Sequence, residues 1–337
     1  MQPDRKDRQV NANKVKLLLE ENYLYLISTF YETQSSFLTG VYKRYKSIET
    51  ANIVLCFARN MHLAIIRERE NDLNYNISLN NFWVNLKNVE KPSEKISSIV
   101  KITGIPKETV RRKVKKLLLN GFLINKNGEK SYSWNLLTKH KNDYFVIIDQ
   151  EIKILSKFIS SFMIKLQINV DMKIIEEELK LQFSFYWYHF LTCQLKWLKF
   201  WQGKLKDNDL LLIILQAVIP TLQFAGAHPN ETKIDNMFKI VGRVNNLNNF
   251  SNTAVSAASV SDVTGIPRAT CIRKLEKLIN LGFLFKEHKT KRYFVNQNIT
   301  DRTKNILTKE NVDTTVDIFS TYLAIIINSV VHNKIKS

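Results

Sequence analysis

The sequence predicts a mainly α-helical chain in which one unit, a helix–turn–helix followed by a small β-hairpin, occurs twice within helical surroundings. Three observations predict it. The stretch TGIPKETVRRKVKKLLLNGFL at 103–123 returns as TGIPRATCIRKLEKLINLGFL at 264–284, with 12 of 21 positions identical at a spacing of 161 residues. Each copy sets a glycine and a proline between two apolar-periodic segments, a pattern that stops one helix and starts the next. Each copy then continues into an extended stretch with turn residues at its centre. Two periods of 161 nearly fill the 337 residues, which reads as an internal duplication with a boundary near residue 145.

In chain order, residues 1–14 are polar and charged and read as a short disordered basic arm rather than a secretory signal. Residues 15–145 form the first copy: helices at 15–33 and 50–68, the helix–turn–helix at 95–120 and the hairpin at 122–135. Residues 146–300 repeat that order, with helices at about 146–201 and 208–225, the helix–turn–helix at 256–281 and the hairpin at 283–296. A C-terminal helix follows within 301–337. Upstream of the repeated stretch the likeness is fainter, and residues 30–46 align with 185–199 when two residues are dropped.

Within each helix–turn–helix the residues divide by task. Gly104 and Gly265 suit a left-handed turn, and Pro106 and Pro267 suit a helix start, where a missing N–H costs nothing. Val110, Val114, Leu117 and Leu118 fall at i, i+4, i+7 and i+8, matched by Cys271, Leu275, Leu278 and Ile279, so these positions form the core face. The opposite face of the first copy carries Lys107, Arg111 and Lys115 in one row and Glu108, Arg112 and Lys116 in the next. The hairpin of the first copy centres on Asn127-Gly128, a strong two-residue turn signal, and that of the second carries Lys286, Lys289, Lys291 and Arg292.

Charge is concentrated on these segments. The chain has a formal net charge of +19; residues 101–142 hold 11 Lys/Arg against 2 Glu, and residues 262–302 hold 9 against 4 acidic residues. A cationic helix with a flanking basic hairpin suits a polyanion. A helix fits the major groove of B-form DNA, its first turn meeting base edges while flanking cations meet phosphates. By position, Lys107, Glu108, Thr109 and Arg111, with Arg268, Thr270 and the neighbouring Ala269 and Ile272, are the base-facing candidates. Arg112, Lys116, Arg273 and Lys277, with hairpin residues Lys126, Lys130, Lys289, Lys291 and Arg292, are the phosphate candidates.

The order of elements and the residues at the turn resemble the winged helix-turn-helix of bacterial transcriptional regulators of the MarR, IclR, GntR and Crp types, over residues 95–135 and 256–296. The resemblance implies a sequence-specific transcriptional regulator of double-stranded DNA, with helix 106–119 in the major groove and the hairpin as a wing on the backbone or minor groove. A plasmid-type replication initiator, also two winged helices in one chain, is the nearest alternative. A winged-helix module that binds protein is the other, with Ile272 and Glu276 marking the second copy as the place for it.

Other signals are sparse. No GxxxxGK[ST], GxGxxG, HExxH or GxSxG occurs, and the six histidines have no metal-ligand spacing, so neither an enzyme, a metal nor a cofactor is expected. Three separated cysteines, Cys56, Cys193 and Cys271, fit a reducing cytoplasm, where the nucleoid also lies. The apolar run at 210–227 is broken by Gln216, Pro220, Thr221 and Gln223 and reads as a buried helix, not a membrane span. Residues 183–201 hold nine aromatics and residues 316–331 are strongly apolar; both need a partner surface, either within the chain or in a homodimer.

Overall fold

A computed structural model describes residues 10–125, 129–135, 141–226, 253–296 and 308–336. The described residues are mainly helical, with two small antiparallel sheets. The helices are α1 (Ala12–Glu21), α2 (Tyr23–Tyr45), α3 (Ile48–Asn71), α4 (Phe82–Asn88), α5 (Ile96–Thr103), α6 (Lys107–Leu119), α7 (Lys141–Lys165), α8 (Met172–Leu181), α9 (Phe183–Leu205), α10 (Asn208–Gly226), α11 (Ala257–Thr264), α12 (Arg268–Asn280) and α13 (Lys309–Lys336). The strands are β1 (Ser93–Lys95), β2 (Leu123–Ile124), β3 (Ser131–Trp134), β4 (Leu284–Lys286) and β5 (Tyr293–Val295).

Local chemistry sets the helix ends. Asn11, Ser47 and Asp171 cap α1, α3 and α8 by accepting a backbone N–H of the first turn, and Ser256 and Ser259 form a reciprocal capping box on α11. Lys46 and Lys206 take left-handed backbone conformations, with φ of 59° and 57°, in the breaks between α2 and α3 and between α9 and α10. Helices of 10 and 23 residues precede each of these breaks. The elements α1–α3 and α8–α10 thus recur at a spacing of 160 residues. The alignment of 30–46 with 185–199 departs from this spacing by five residues at its start and by seven after the two dropped residues. Seven residues are about two helical turns, so the apolar face repeats almost unchanged and the letters alone pick the wrong turn.

The chain forms two compact units, and they are not its two halves. One comprises Met1–Lys43, Phe158–Asn169 and Asp209–Ser337; the other comprises Arg44–Lys157 and Val170–Asn208. The boundary expected near residue 145 falls within α7, and each compact unit takes segments from both sides of it. In the unit built on residues 44–157, α3 and α5 of the first half pack against α9 of the second half. His62 on α3 stacks on Phe82 at 4.8 Å between ring centroids and meets Phe183 of α9 edge-on at 5.2 Å. Buried there without a hydrogen-bond partner, its imidazole has a pKa pushed down to about 3, so it is neutral core. The α8 residue Lys180 pairs with Asp149 of α7 at 3.5 Å.

In the other unit, α13 packs along α1, with Lys16 and Asp317 paired at 2.7 Å. Phe30 of α2 touches Phe319 of α13 at 3.8 Å and Phe158 of α7 at 5.5 Å between ring centroids. The expected disordered arm is shorter than 1–14: Val10 is 2% exposed and its backbone is clasped by the Asn328 side chain, and α1 begins at Ala12. Residues 1–9 lie outside the described residues. Leu210–Leu215 of α10 are buried, as expected for that apolar run. Among the described residues one helical stretch, Lys309–Asn333, is long and apolar enough to cross a membrane, and 56% of its most apolar window is buried. Both surfaces named for self-association, 183–201 and 316–331, are thus in use inside the chain.

Glu151 on α7 is 1% exposed and neither carboxylate oxygen has a partner. Burial holds its pKa well above the ordinary 4.5. Below that value the carboxyl is protonated in folded and unfolded chains alike. As pH rises above it, the unfolded chain releases a proton that the folded chain retains, so stability falls by about 1.4 kcal/mol per pH unit until Glu151 ionises in the fold. Chemical denaturation should therefore show Glu151→Gln more stable than the parent at pH 7 and equal to it near pH 4; equal stability at both would contradict this.

Candidate nucleic-acid interface

Each unit carries a helix, a tight turn, a second helix and a hairpin, and the geometry repeats in detail. The turn glycines Gly104 and Gly265 have φ of 69° and 72°, and Gly121 and Gly282, which end the second helices, have 72° and 73°. Lysine stems from the long helices lie against both turns: a Cβ on Gly104 would meet Lys199 at 3.4 Å, and one on Gly265 would meet Lys43 at 3.0 Å. Thr103 and Thr264 bond back to Ile99 and Val260 and accept from the N–H of Ile105 and Ile266. Asn135 and Asn296 pin each hairpin to the preceding turn by donating to the Gly121 and Gly282 carbonyls at 3.0 and 2.9 Å.

The core face matches the expectation except at its last position. Val110, Val114, Leu117, Cys271, Leu275 and Leu278 are buried, whereas Leu118 and Ile279 are only half-buried, because the helix ends within two residues and the core stops covering it. The hairpins are β2–β3 and β4–β5, and β1, not foreseen from the sequence, adds a third strand on β3. Lys126 and the Asn127-Gly128 turn lie outside the described residues.

The shared lysine of each second helix has a structural role. Lys113 donates to Ser47 Oγ at 3.0 Å and Thr50 Oγ1 at 3.1 Å and pairs with Glu49 at 3.2 Å. Lys274, at the equivalent place, pairs with Asp209 at 3.5 Å. Each ammonium therefore ties α6 to α3, or α12 to α10, with most of its surface covered. The two lysines are identical at the repeat spacing, and an acid recurs at Glu49 and Asp209, which is the signal for this pairing in the sequence.

The cationic candidates face outward. Lys107, Glu108, Arg111, Arg112, Lys115 and Lys116 are exposed on α6 and Thr109 is half-buried; Arg268, Ala269, Ile272, Arg273 and Lys277 are exposed on α12 and Thr270 is half-buried. Lys130 is exposed by β3, as are Lys289, Lys291 and Arg292 at the β4–β5 tip. That tip is organised by Glu287, which accepts from the Thr290 hydroxyl, from the N–H of Thr290 at 2.6 Å and from that of Lys289 at 3.1 Å; these bonds, the hydroxyl's foremost, lower its pKa.

Two pairings modify the expected roles. Glu108 and Arg111 meet at 2.6 Å, so the carboxylate neutralises one of the cations expected to face bases. Glu276 accepts from Lys286 at 2.9 Å and from the Tyr293 hydroxyl at 3.2 Å, joining α12 to its hairpin. The divergence from Lys115 to Glu276 is thus an internal bridge, and Ile272, 40% exposed, is the large apolar side chain of α12 left exposed on that face. Comparison with protein-family models, curated proteins and solved structures finds no match to this chain.

Proposed function

We propose that the chain is an internally duplicated protein with two winged helices that binds double-stranded DNA sequence-specifically and acts as a transcriptional regulator. The support is a subtraction. Of the residues shared by the two copies, the threonine, glycine, isoleucine and proline of the turn, the anchoring lysine, the core leucines and the Gly-Phe-Leu that leads into the hairpin all have work inside the fold. What remains is Thr109/Thr270, Arg112/Arg273 and Lys116/Lys277, none of which has a side-chain partner among the described residues. Exposed arginine and lysine repeated at one place on two helices suit phosphates, whose charge is the same in every sequence, while the diverging 107/268, 108/269 and 111/272 suit base edges that differ between two half-sites.

Binding to duplex DNA measured by fluorescence anisotropy against salt tests this. Each phosphate neutralised contributes about −0.9 to the log–log slope, so the four shared cations alone give about −3.6. A flat response would overturn the reading. Genome-wide mapping of bound sites then separates a regulator, found at promoters, from a replication initiator, found at iterated sites in one origin.

A further inference from the structure

Between α3, α4, the segment leading into β1, the end of β3 and the start of α7, the unit of residues 44–157 holds a cavity of about 600 Å³. Met61, Trp83 and Trp134 line its apolar part and Lys87, Lys91 and Lys141 are its charged lining, with no carboxylate among the lining residues. None of the three ammoniums is ion-paired with a carboxylate among the described residues; Lys141 instead lies 5.7 Å from the ring centroids of both Trp83 and Phe145. The indole N–H of Trp83 is buried without an acceptor. A second, smaller cavity shares Lys91 and Pro92 with the first and is lined in addition by Arg67, Glu68, Glu90 and Glu129, so the carboxylates nearest Lys91 lie on that side.

We infer that the larger cavity is a binding site for a free mononucleotide. Its volume falls in the range that encloses small ligands, and its composition, an apolar aromatic wall with a few polar groups, is that of a small-molecule site. Three lysines with no opposing carboxylate suit a multiply charged phosphate better than a singly charged acid, and two tryptophans suit a planar base, since any base can stack on an aromatic face. The site also abuts the hairpin: Trp134 ends β3, and β1, two residues after Lys91, is hydrogen-bonded to β3 in the register Ser93–Ser133, Glu94–Tyr132 and Lys95–Ser131. Occupancy therefore bears on the strand that presents Lys130.

Titration of the full chain with AMP and ATP, followed by tryptophan fluorescence and by calorimetry in the absence of DNA, tests the site independently of DNA binding. The expected result is saturable binding of one nucleotide per chain, at least tenfold tighter than adenosine or inorganic phosphate alone. Lys87→Glu with Lys91→Glu, both exposed and so expected to leave the melting temperature unchanged, should weaken it tenfold or more. No saturable binding at millimolar nucleotide, equal binding of adenosine, or binding indifferent to the paired substitution in a normally folded protein would overturn the inference.

Discussion

Replacing Arg112 and Lys116 together by alanine is expected to lower affinity for every duplex by about 60-fold at 0.1 M salt. The figure follows from counterion release: a phosphate contact with a slope of about −0.9 is worth about a factor of eight between 1 M and 0.1 M salt, and two such contacts multiply. The slope of log K against log salt should become shallower by about 1.8. Sequence preference should be unchanged, because backbone charge carries no sequence information. Both side chains are exposed and unpartnered, so stability should stay within about 0.5 kcal/mol of the parent, which keeps the result interpretable. An unchanged slope would remove α6 from the interface. The same pair of changes at Arg273 and Lys277 tests the other copy: a comparable loss means that both helices meet DNA, and no loss means that the second serves a different partner.

The contrast with Lys113 shows why exposure matters in choosing these positions. By sequence, Arg112, Lys113 and Lys116 are three cations shared with the other copy, and nothing in the letters separates them. In the fold, Lys113 turns inward to Glu49, Ser47 and Thr50, while Arg112 and Lys116 point away. The helix–turn–helix itself was legible because its signals are local: a glycine at positive φ, a proline at a helix start, and apolar residues at helical spacing within 13 residues. The hairpins were legible for the same reason. Strand β1 was not, since Ser-Glu-Lys has neither alternation nor β-branched residues and exists only by pairing with β3. The Glu276–Lys286 bridge was hidden likewise, as it depends on how closely a hairpin folds back on a helix.

The least legible feature was which long helix covers which helix–turn–helix, and it carries the largest predicted effect. An amphipathic helix pattern says that a face must be buried, but not against what. Had each copy folded on its own, residues 1–145 would make a domain. In the structure the buried face of α3, including Phe57, Met61, His62 and Ile65, belongs to the same unit as α9 and packs against it, and α9 buries Phe183, Trp187, Phe190, Trp197 and Leu198. Exposing large apolar side chains costs about 1.5–3 kcal/mol each, and a domain's whole stability is about 5–15 kcal/mol, so losing α9 exceeds what the unit can spare. Residues 1–145 and residues 146–337 produced separately are therefore expected to lack cooperative thermal unfolding, to bind hydrophobic dyes and to aggregate. Produced together, the two fragments should assemble one to one and recover the cooperative transition of the intact chain. A cooperative melt from residues 1–145 alone would show that α3 and α5 can be covered within their own half, and the interleaved units would then be wrong.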